Sequence, residues 1–276
     1  MNRGSSDPPE YALGHSDREL DRLSAQARLV DAITRQFFQE AGIVRGMRVL
    51  DIGSGAGDVA ILLAALVGDE GAVVGVDRAP SAIARARANT RSNVVFVEGD
   101  PTAMTFDRPF DAIVGRYVLQ FHPNPAEMLQ RVAVHVKPGG IVAFHELDWK
   151  GVGSFPASPT YDRCCRWIVA ALQELGAETR MGIKLHSAFL AAGLPSPTLR
   201  LSAAIGGGVN AAAQVTLVTD LVATLLPAME RLGVATRTEV DVDTLFERIS
   251  HEVTSAGTVI CGRSEVGAWA QIAAAH

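Results

Sequence analysis

The chain has 276 residues and a formal net charge of −5, and its 25 lysines and arginines are scattered singly along it. This length is enough to bury one large core, either as a single α/β domain with insertions or as one domain with a small cap. Because there is no basic stripe, neither nucleic acid nor an anionic lipid surface is an expected partner.

The sequence contains few cysteines and no targeting pattern. Cys164, Cys165 and Cys261 do not make a disulfide framework or a zinc cluster, so we expect reduced thiols and no metal. No early segment has the order of a signal peptide, and no uninterrupted apolar stretch is expected to cross a bilayer. We therefore expect a cytoplasmic protein without a membrane partner.

Residues 1–41 are predicted to form an N-terminal tail and a helical cap. Residues 1–10 are rich in Pro, Ser and Asp and contain little to bury. Between residues 16 and 41 apolar side chains recur at helical spacing, with Ser16 placed as the N-cap. Gly42 follows as a helix terminator, so the sheet is expected to begin after it.

Residues 42–150 alternate short apolar runs with helical stretches. The runs, each bounded by Gly, Pro, Asn or Asp, are 48–52, 72–76, 94–98, 112–115 and 141–145. Such alternation predicts a parallel sheet with helices on both faces. We assign this part to the cofactor-binding core.

The pattern changes after Trp149. Residues 151–192 are mainly helical and are predicted to be an inserted helical cap. Residues 193–276 are predicted to return to the core, with strands at 198–204 and 257–262 and a helical insertion at about 209–256. The predicted fold is α/β: a doubly wound, Rossmann-like, mostly parallel seven-stranded sheet with helical cap insertions.

The strongest local signal is a glycine loop between the first strand and the next helix. The segment reads VLDIGSGAGDVA over residues 49–60, and its loop residues are Gly53, Ser54, Gly55 and Gly57. The glycines let the backbone turn tightly and approach a ligand, and the helix that follows presents unpaired N–H groups. The loop predicts a crevice of nucleotide size.

Acidic residues around this loop distinguish between ligands. Asp77 ends the next strand about twenty residues on, where a carboxylate can accept both hydroxyl protons of a ribose. Position 58 is Asp, where the dinucleotide pattern G-x-G-x-x-G has its third glycine. Asp51 and Asp58 would repel a pyrophosphate and attract a cationic sulfonium and ammonium. Charge therefore favours S-adenosylmethionine as the cofactor.

From about residue 11 to 147 the chain resembles the class I S-adenosylmethionine-dependent methyltransferases. Within them it is similar to the ubiquinone- and menaquinone-biosynthesis enzymes and to natural-product small-molecule methyltransferases. The motifs that carry the resemblance are 49–57, 75–77, 98–100, 110–116 and the Lys-Pro-Gly-Gly turn within 136–140. The resemblance implies that Asp51 lies near the methionine moiety, that Asp77 holds the ribose, and that Asp100 holds the adenine amino group.

Other residues beside these motifs are further candidates for the cofactor site. Gly99 and Pro101 flank the adenine acid, which in that turn is equally suited to cap the next helix. Arg78 is placed either to stack on adenine or to lie in solvent. The backbone at Arg116 is our candidate for the ammonium contact. Tyr11 belongs either to a segment folded over the cofactor or to an ordinary approach to the first helix.

Three residues after the fourth and fifth strands are candidates for catalysis. His122 has an intrinsic pKa near neutrality and is suited to take a proton from an acceptor, although a structural role in a turn is as well supported. His145 and Glu146 end the fifth strand at the functional edge, where either is suited to act as a base. Strand alternation sends only one of these two neighbours inward.

The sequence predicts an enzyme of secondary metabolism that methylates a small apolar or aromatic metabolite at O, N or C. The partner is a small-molecule acceptor, and the chain is expected to be a monomer or homodimer. The alternatives are a protein of the same fold that binds S-adenosylmethionine for a non-methylation reaction, or an NAD(P)-dependent oxidoreductase. A nucleic-acid methyltransferase is disfavoured by the missing basic surface.

Overall fold

A mixed β-sheet organises residues 30–274, the part of the chain that the computed structural model describes. Residues 30–40 form helix α1. Strands and helices then alternate as β1 (Arg48–Ile52), α2 (Asp58–Val67), β2 (Ala72–Asp77), α3 (Pro80–Ala88), β3 (Val94–Glu98), β4 (Phe110–Arg116), α4 (Pro125–Ala133) and β5 (Val136–Asp148). The predicted helix over 16–41 is confirmed for its described part, and its earlier residues lie outside the described range.

The second half of the chain adds three strands and most of the cap. Its elements are β6 (Gly153–Phe155), α5 (Pro159–Glu174), α6 (Met181–Ala191), β7 (Thr198–Gly207), α7 (Ala212–Leu232), α8 (Arg237–Val240), α9 (Val242–Ser255) and β8 (Val259–Gln271). A 3-10 turn over Leu119–Phe121 follows β4, and a second over Gly208–Ala211 precedes α7.

The sheet has the order β3-β2-β1-β4-β5-β8-β6 within the described residues, and β7 pairs with β8 on its other side. β1 to β5 are parallel, whereas β8 runs antiparallel to β5, β6 and β7. The predicted Rossmann-like α/β class is confirmed, and the short β6 adds an eighth strand to the seven predicted. β8 also continues to Gln271, far beyond the predicted 257–262.

Helices cover both faces of the sheet, as its alternating side chains require. Val49 belongs to a core cluster with α1, α2 and α3, whereas its neighbour Leu50 belongs to a cluster with α4 and α6. Both residues are fully buried, which explains why the parallel strands have continuous apolar sequences. This doubly wound arrangement places the carboxyl ends of β1, β4 and β5 side by side.

A third cluster forms a cap from α5, α7 and α9. Their buried faces carry mostly Leu, Ile, Val and Ala, and this cluster meets the sheet at Leu147 and Trp149. The domain division drawn from the sequence stays a prediction, but the contacts divide 151–192 in two. α5 packs in the cap, whereas α6 packs against β5 and β8. Helical spacing alone does not tell which surface an apolar face will meet.

The helical stretch Gly208–Leu232 is long and apolar enough by length and composition to cross a membrane. The sequence-based expectation concerned uninterrupted apolar stretches, and Asp220 interrupts this one, as the only charged residue before Glu230. Eight of its side chains, from Val215 to Met229, are buried in the structure, and its apolar residues contribute to the cap cluster. These contacts account for the apolar character of its buried face.

One glutamate of α9 binds the first turn of α5. Glu252 Oε2 accepts hydrogen bonds from Ser158 Oγ at 2.6 Å and from the Thr160 N–H at 3.1 Å, and its Oε1 accepts from Thr160 Oγ1. A carboxylate at a helix N-terminus satisfies unpaired N–H groups and opposes the positive end of the helix dipole. Glu252 thereby ties two cap helices that are remote in sequence.

Candidate active site

The glycine loop follows β1 at the carboxyl edge of the sheet. Gly55 has a φ of +53° and Gly57 a φ of +94°, both in the left-handed region that favours glycine. A Cβ at Gly57 would lie 2.6 Å from Phe96 Cζ, whereas a Cβ at Gly55 would meet no described atom within 4 Å. Gly57 is therefore required for packing, and Gly55 borders open space in which a ligand can approach the backbone.

Asp77 fastens this loop to the end of β2. Its Oδ2 accepts the Gly55 N–H and its Oδ1 accepts the Ala79 N–H, each at 2.8 Å. The Ser54 N–H donates to the carbonyl of Val76 at 3.0 Å. Each carboxylate oxygen keeps a second lone pair, so Asp77 can still accept from a ribose diol. The end of β2 and the glycine loop are thus held together before a ligand binds.

Asp51 is a buried carboxyl group with unmet hydrogen-bonding capacity. The residue is 1% exposed, and neither oxygen makes a hydrogen bond of normal geometry within the described residues. Burial raises its pKa well above the usual range, and the charge of Arg116 opposes this only in part. A cation placed beside Asp51 would restore its ionised form. The site therefore fits the positively charged methionine part of S-adenosylmethionine.

Asp100 and Arg78 are paired with each other. Arg78 donates to Asp100 Oδ2 at 2.6 Å, while Oδ1 accepts the N–H and the hydroxyl of Thr102 at 2.9 and 2.7 Å. Partial burial acts to raise the pKa of Asp100, but the Thr102 and Arg78 hydrogen bonds hold it below the usual range. Asp100 therefore caps a turn, whereas no helix lies between it and β4, so the helix-capping alternative weighed for it is wrong. Pro101 is buried beside it, and the Gly99 N–H donates to the Asp77 carbonyl.

A buried network fills the space beyond β4. Tyr117 follows β4 with a φ of +59°, which is strained for a bulky residue. Its hydroxyl donates to Glu265 Oε2 at 2.7 Å, and His145 Nε2 meets the same oxygen at 2.9 Å. Arg263 Nε contacts Glu265 Oε1 at 3.3 Å. These residues are joined across three strands.

His145 is held inside this network. It has no exposed surface, and its Nδ1 lies 3.2 Å from the hydroxyl of Thr34. Burial lowers the pKa of His145 against the opposing influence of Glu265, so the ring is neutral and donates from Nε2. Arg116 is also committed, because its guanidinium donates to Asp31 at 2.9 Å and to Thr34 at 3.1 Å. The Arg116 side chain thus points to α1 through its Nη1.

Glu146 points to the opposite face and holds the loop after β4. Its Oε1 accepts the N–H groups of Val118 and Leu119 at 2.8 and 2.7 Å. Burial raises the pKa of Glu146 to about 8, although these amides act to lower it. Val118 in turn packs on the glycine loop, since a Cβ at Gly53 would lie 2.7 Å from Val118 Cγ2. These bonds give Glu146 a positioning role.

The other sequence-predicted residues are less central. His122 Nδ1 lies 2.9 Å from the Asn124 carbonyl oxygen and 3.1 Å from the Asn124 nitrogen, which gives it the turn role weighed in the sequence analysis. Tyr11 lies outside the described residues. Trp149, Arg263 and Glu265 were not among the residues predicted from the sequence to form the site, and the two charged ones lie just past the predicted end of the last strand. The sequence signal that could have identified Arg263 and Glu265 is their position as charged residues within an otherwise apolar C-terminal run.

The fold and the glycine loop define an α/β protein built to bind S-adenosylmethionine. Residues 43–179 match a family model described as "Methyltransferase domain". Aklanonic acid methyltransferase DauC of Streptomyces sp. (strain C5) is 32% identical over 153 residues, 54% of this chain and 68% of that protein. The chain belongs to the S-adenosylmethionine-dependent methyltransferases, and the expected enzyme class and cofactor are confirmed.

A further relative matches a smaller part of this chain, and a solved structure of low sequence identity shows a similar fold. Demethylmenaquinone methyltransferase of Staphylococcus aureus (strain MRSA252) is 32% identical over 111 residues, 39% of this chain and 46% of that protein. This chain therefore matches less than half the length of that relative. The solved structure of the [4+2]-cyclase SpnF has a TM-score of 0.52 at 17% identity, covering 89% of this chain and 81% of SpnF. That likeness supports the fold, not an activity.

Proposed function

We propose that this enzyme methylates an O, N or C atom of a small, largely apolar or aromatic metabolite. The observation that carries the proposal is the carboxyl edge of β1 and β2, where Asp77 is bonded to the Gly55 N–H. There the nearby Asp51 carboxyl is buried without a hydrogen bond of normal geometry from any described residue. That edge combines a ribose acceptor with a group that favours a cation.

S-adenosylmethionine, when bound, supplies a methyl group made electrophilic by its cationic sulfur. Asp77 then accepts from the ribose hydroxyls, Asp51 faces the methionine part, and the backbone at Arg116 accepts from the ammonium. Gly53, Ser54, Gly55 and Gly57 line the loop; Arg78, Gly99, Asp100 and Pro101 lie at the adenine end. Because Arg78 and Asp100 already pair, we propose that they contact adenine together.

The acceptor lies in this proposal between the β4 and β5 ends and the cap. Methyl transfer needs alignment and exclusion of water more than it needs a base. Tyr117 and Phe121 are partly buried aromatics that pack against the cap cluster and are placed to hold a flat apolar molecule. Both nitrogens of His145 have protein partners, so an acceptor that needs deprotonation would have to use His122 or arrive ionised.

The remaining features of the proposal concern surroundings and assembly. We propose that the enzyme acts in the cytoplasm, as a monomer or homodimer, without a nucleic-acid or membrane partner. The net charge of −5 and the absence of a basic stripe in the sequence support the exclusion of nucleic acid.

Calorimetry with S-adenosylmethionine, S-adenosylhomocysteine and NAD tests the cofactor assignment. We expect micromolar binding of the first two and none of NAD, whereas binding of NAD alone would overturn the proposal. Incubation with S-adenosylmethionine and a panel of naphthols, naphthoates and naphthoquinols then tests transfer. Methylated product and S-adenosylhomocysteine in equal amounts support it; a converted acceptor without S-adenosylhomocysteine shows the non-methylation alternative.

A further inference from the structure

Two buried hydrogen-bond donors beside the cap have no partner in the described part of the chain. They are Arg263 Nη2, in a residue that is 4% exposed, and Trp149 Nε1, in a residue that is 5% exposed. The Arg263 guanidinium lies 5.6 Å from the centre of the Trp149 ring and 5.5 Å from that of Tyr117. The two donors are therefore neighbours in one aromatic environment.

The protein does not use the full capacity of this guanidinium. Glu265 meets it at Nε, at a distance of 3.3 Å, and the same carboxylate also serves Tyr117 and His145. A buried donor left without an acceptor is destabilising, and more so when it is charged. An acceptor oxygen within reach of both side chains would satisfy both donors.

The location of these donors connects them with the reaction. Tyr117 follows β4 and Trp149 follows β5, and β4 lies between β1 and β5, so all three strand ends lie on the edge that carries the glycine loop. Trp149 also lines a groove of about 530 Å³, whose other lining residues include the apolar Val152 and Val169 and the charged Asp162 and Arg166; Arg263 is not among them. That volume falls in the range of about 300–1,000 Å³ typical of small-molecule sites.

We propose that Arg263 and Trp149 bind an anionic oxygen of the methyl acceptor, a carboxylate or phenolate on an otherwise apolar molecule. This inference rests on the proposed methyl transfer and specifies its substrate class. The guanidinium supplies charge and one N–H, the indole supplies a second N–H, and the neighbouring rings and groove hold the apolar body. Two donors on one oxygen select an acid over a neutral molecule of the same shape.

The test compares naphthalene-2-carboxylate with the neutral 2-naphthylmethanol by calorimetry on the full chain saturated with S-adenosylhomocysteine. We expect the carboxylate to bind at least tenfold more tightly. Trp149→Phe keeps an aromatic ring and removes one donor, so we expect it to lower carboxylate affinity about tenfold and to leave the alcohol unchanged. Trp269→Phe, near the opposite end of β8, is the matched control and should change neither.

Arg263→Lys gives an independent check, because it keeps the charge and removes the fork of donors. We expect it to weaken the preference for the carboxylate as well. Equal binding of the two probes to the wild type, binding of neither, or an unchanged preference in both site variants would overturn the inference. S-adenosylhomocysteine binding is measured first in each sample: its absence in the wild type counts against the proposed function, whereas lost acid preference with the cofactor bound counts only against this site.

Discussion

The cofactor edge and the network behind β4 are built in opposite ways. The first is assembled from neighbours in sequence. Among residues 30–274 it leaves the Asp51 carboxyl without a hydrogen bond of normal geometry, and it leaves Gly55 open to a ligand. The second joins Thr34, His145 and Glu265 across the whole chain, and most of its polar atoms already have partners. The comparison teaches that one half of the site is prepared for a common cofactor, while the other is a rigid frame whose few open donors set selectivity.

Glu265→Gln should give the largest change, because the frame then loses the charge that compensates the buried Arg263. We expect the free energy of unfolding to fall by about 3–5 kcal/mol, the range for breaking one side of a buried ion pair. Urea denaturation measures this. Glu127→Gln, which affects the exposed pair with Arg131, is the control and should cost less than about 1 kcal/mol. Similar losses in both variants would show that the network is not a structural frame.

Asp77→Ala should affect the cofactor edge alone. Loss of the ribose acceptor and of the Gly55 anchor should weaken S-adenosylhomocysteine binding about 100-fold, since hydrogen bonds to a charged group contribute about 1.5–3 kcal/mol each. Calorimetry reports the affinity. Asp69→Ala, an exposed carboxylate in the turn before β2, should bind normally. Unchanged affinity in Asp77→Ala would contradict the assignment of the ribose site.

Glu146→Gln tests whether this residue positions the loop or acts as a base. The folded protein keeps the Glu146 proton up to about pH 8, whereas the unfolded chain releases it near its ordinary pKa of 4.5. Between these values rising pH should therefore lower the stability of the wild type, by up to about 1.4 kcal/mol per pH unit. Glutamine resembles the protonated acid, so the variant should lack this contribution.

Denaturation at pH 5.5, 6.5 and 7.5 in both proteins isolates the effect of Glu146. Retained methyl transfer in the variant, for any acceptor found, supports the positioning role. A loss of turnover with unchanged cofactor affinity would instead restore Glu146 as a base.

Gly55→Ala should have the smallest effect and distinguishes a ligand surface from a packing surface. Its Cβ meets no described atom, so the expected cost is left-handed strain of about 1–2 kcal/mol plus about a tenfold loss of cofactor affinity. Gly176→Ala has a similar φ of +82° and equally open surroundings away from the loop. Gly176→Ala should therefore lose a similar amount of stability and keep the wild-type affinity for the cofactor. Equal cofactor affinity in the two variants would show that Gly55 is not part of the cofactor site.

The sequence predicted the cofactor half well because its determinants are local. Strand runs, glycine spacing and Asp77 follow rules that act within about thirty residues. It failed at β8, where Gly267, Ala268 and Ala270 have little intrinsic preference for a strand and become one because β5 and β7 flank them. Arg263 and Glu265 were missed for the same reason, since their partners are fixed only by the folded sheet.

The bond between Glu252 and the start of α5 has a consequence for engineering new acceptor specificity. α5 and α9 are remote in sequence and pack in one cap cluster, and the Glu252 carboxylate adds hydrogen bonds between them. A chimaera that takes only α5, or only α7 to α9, from a relative would leave either the Glu252 carboxylate or the Ser158 and Thr160 hydroxyls without a hydrogen-bond partner. Transplanting the cap therefore requires residues 151–175 and 208–258 to be exchanged as a matched pair.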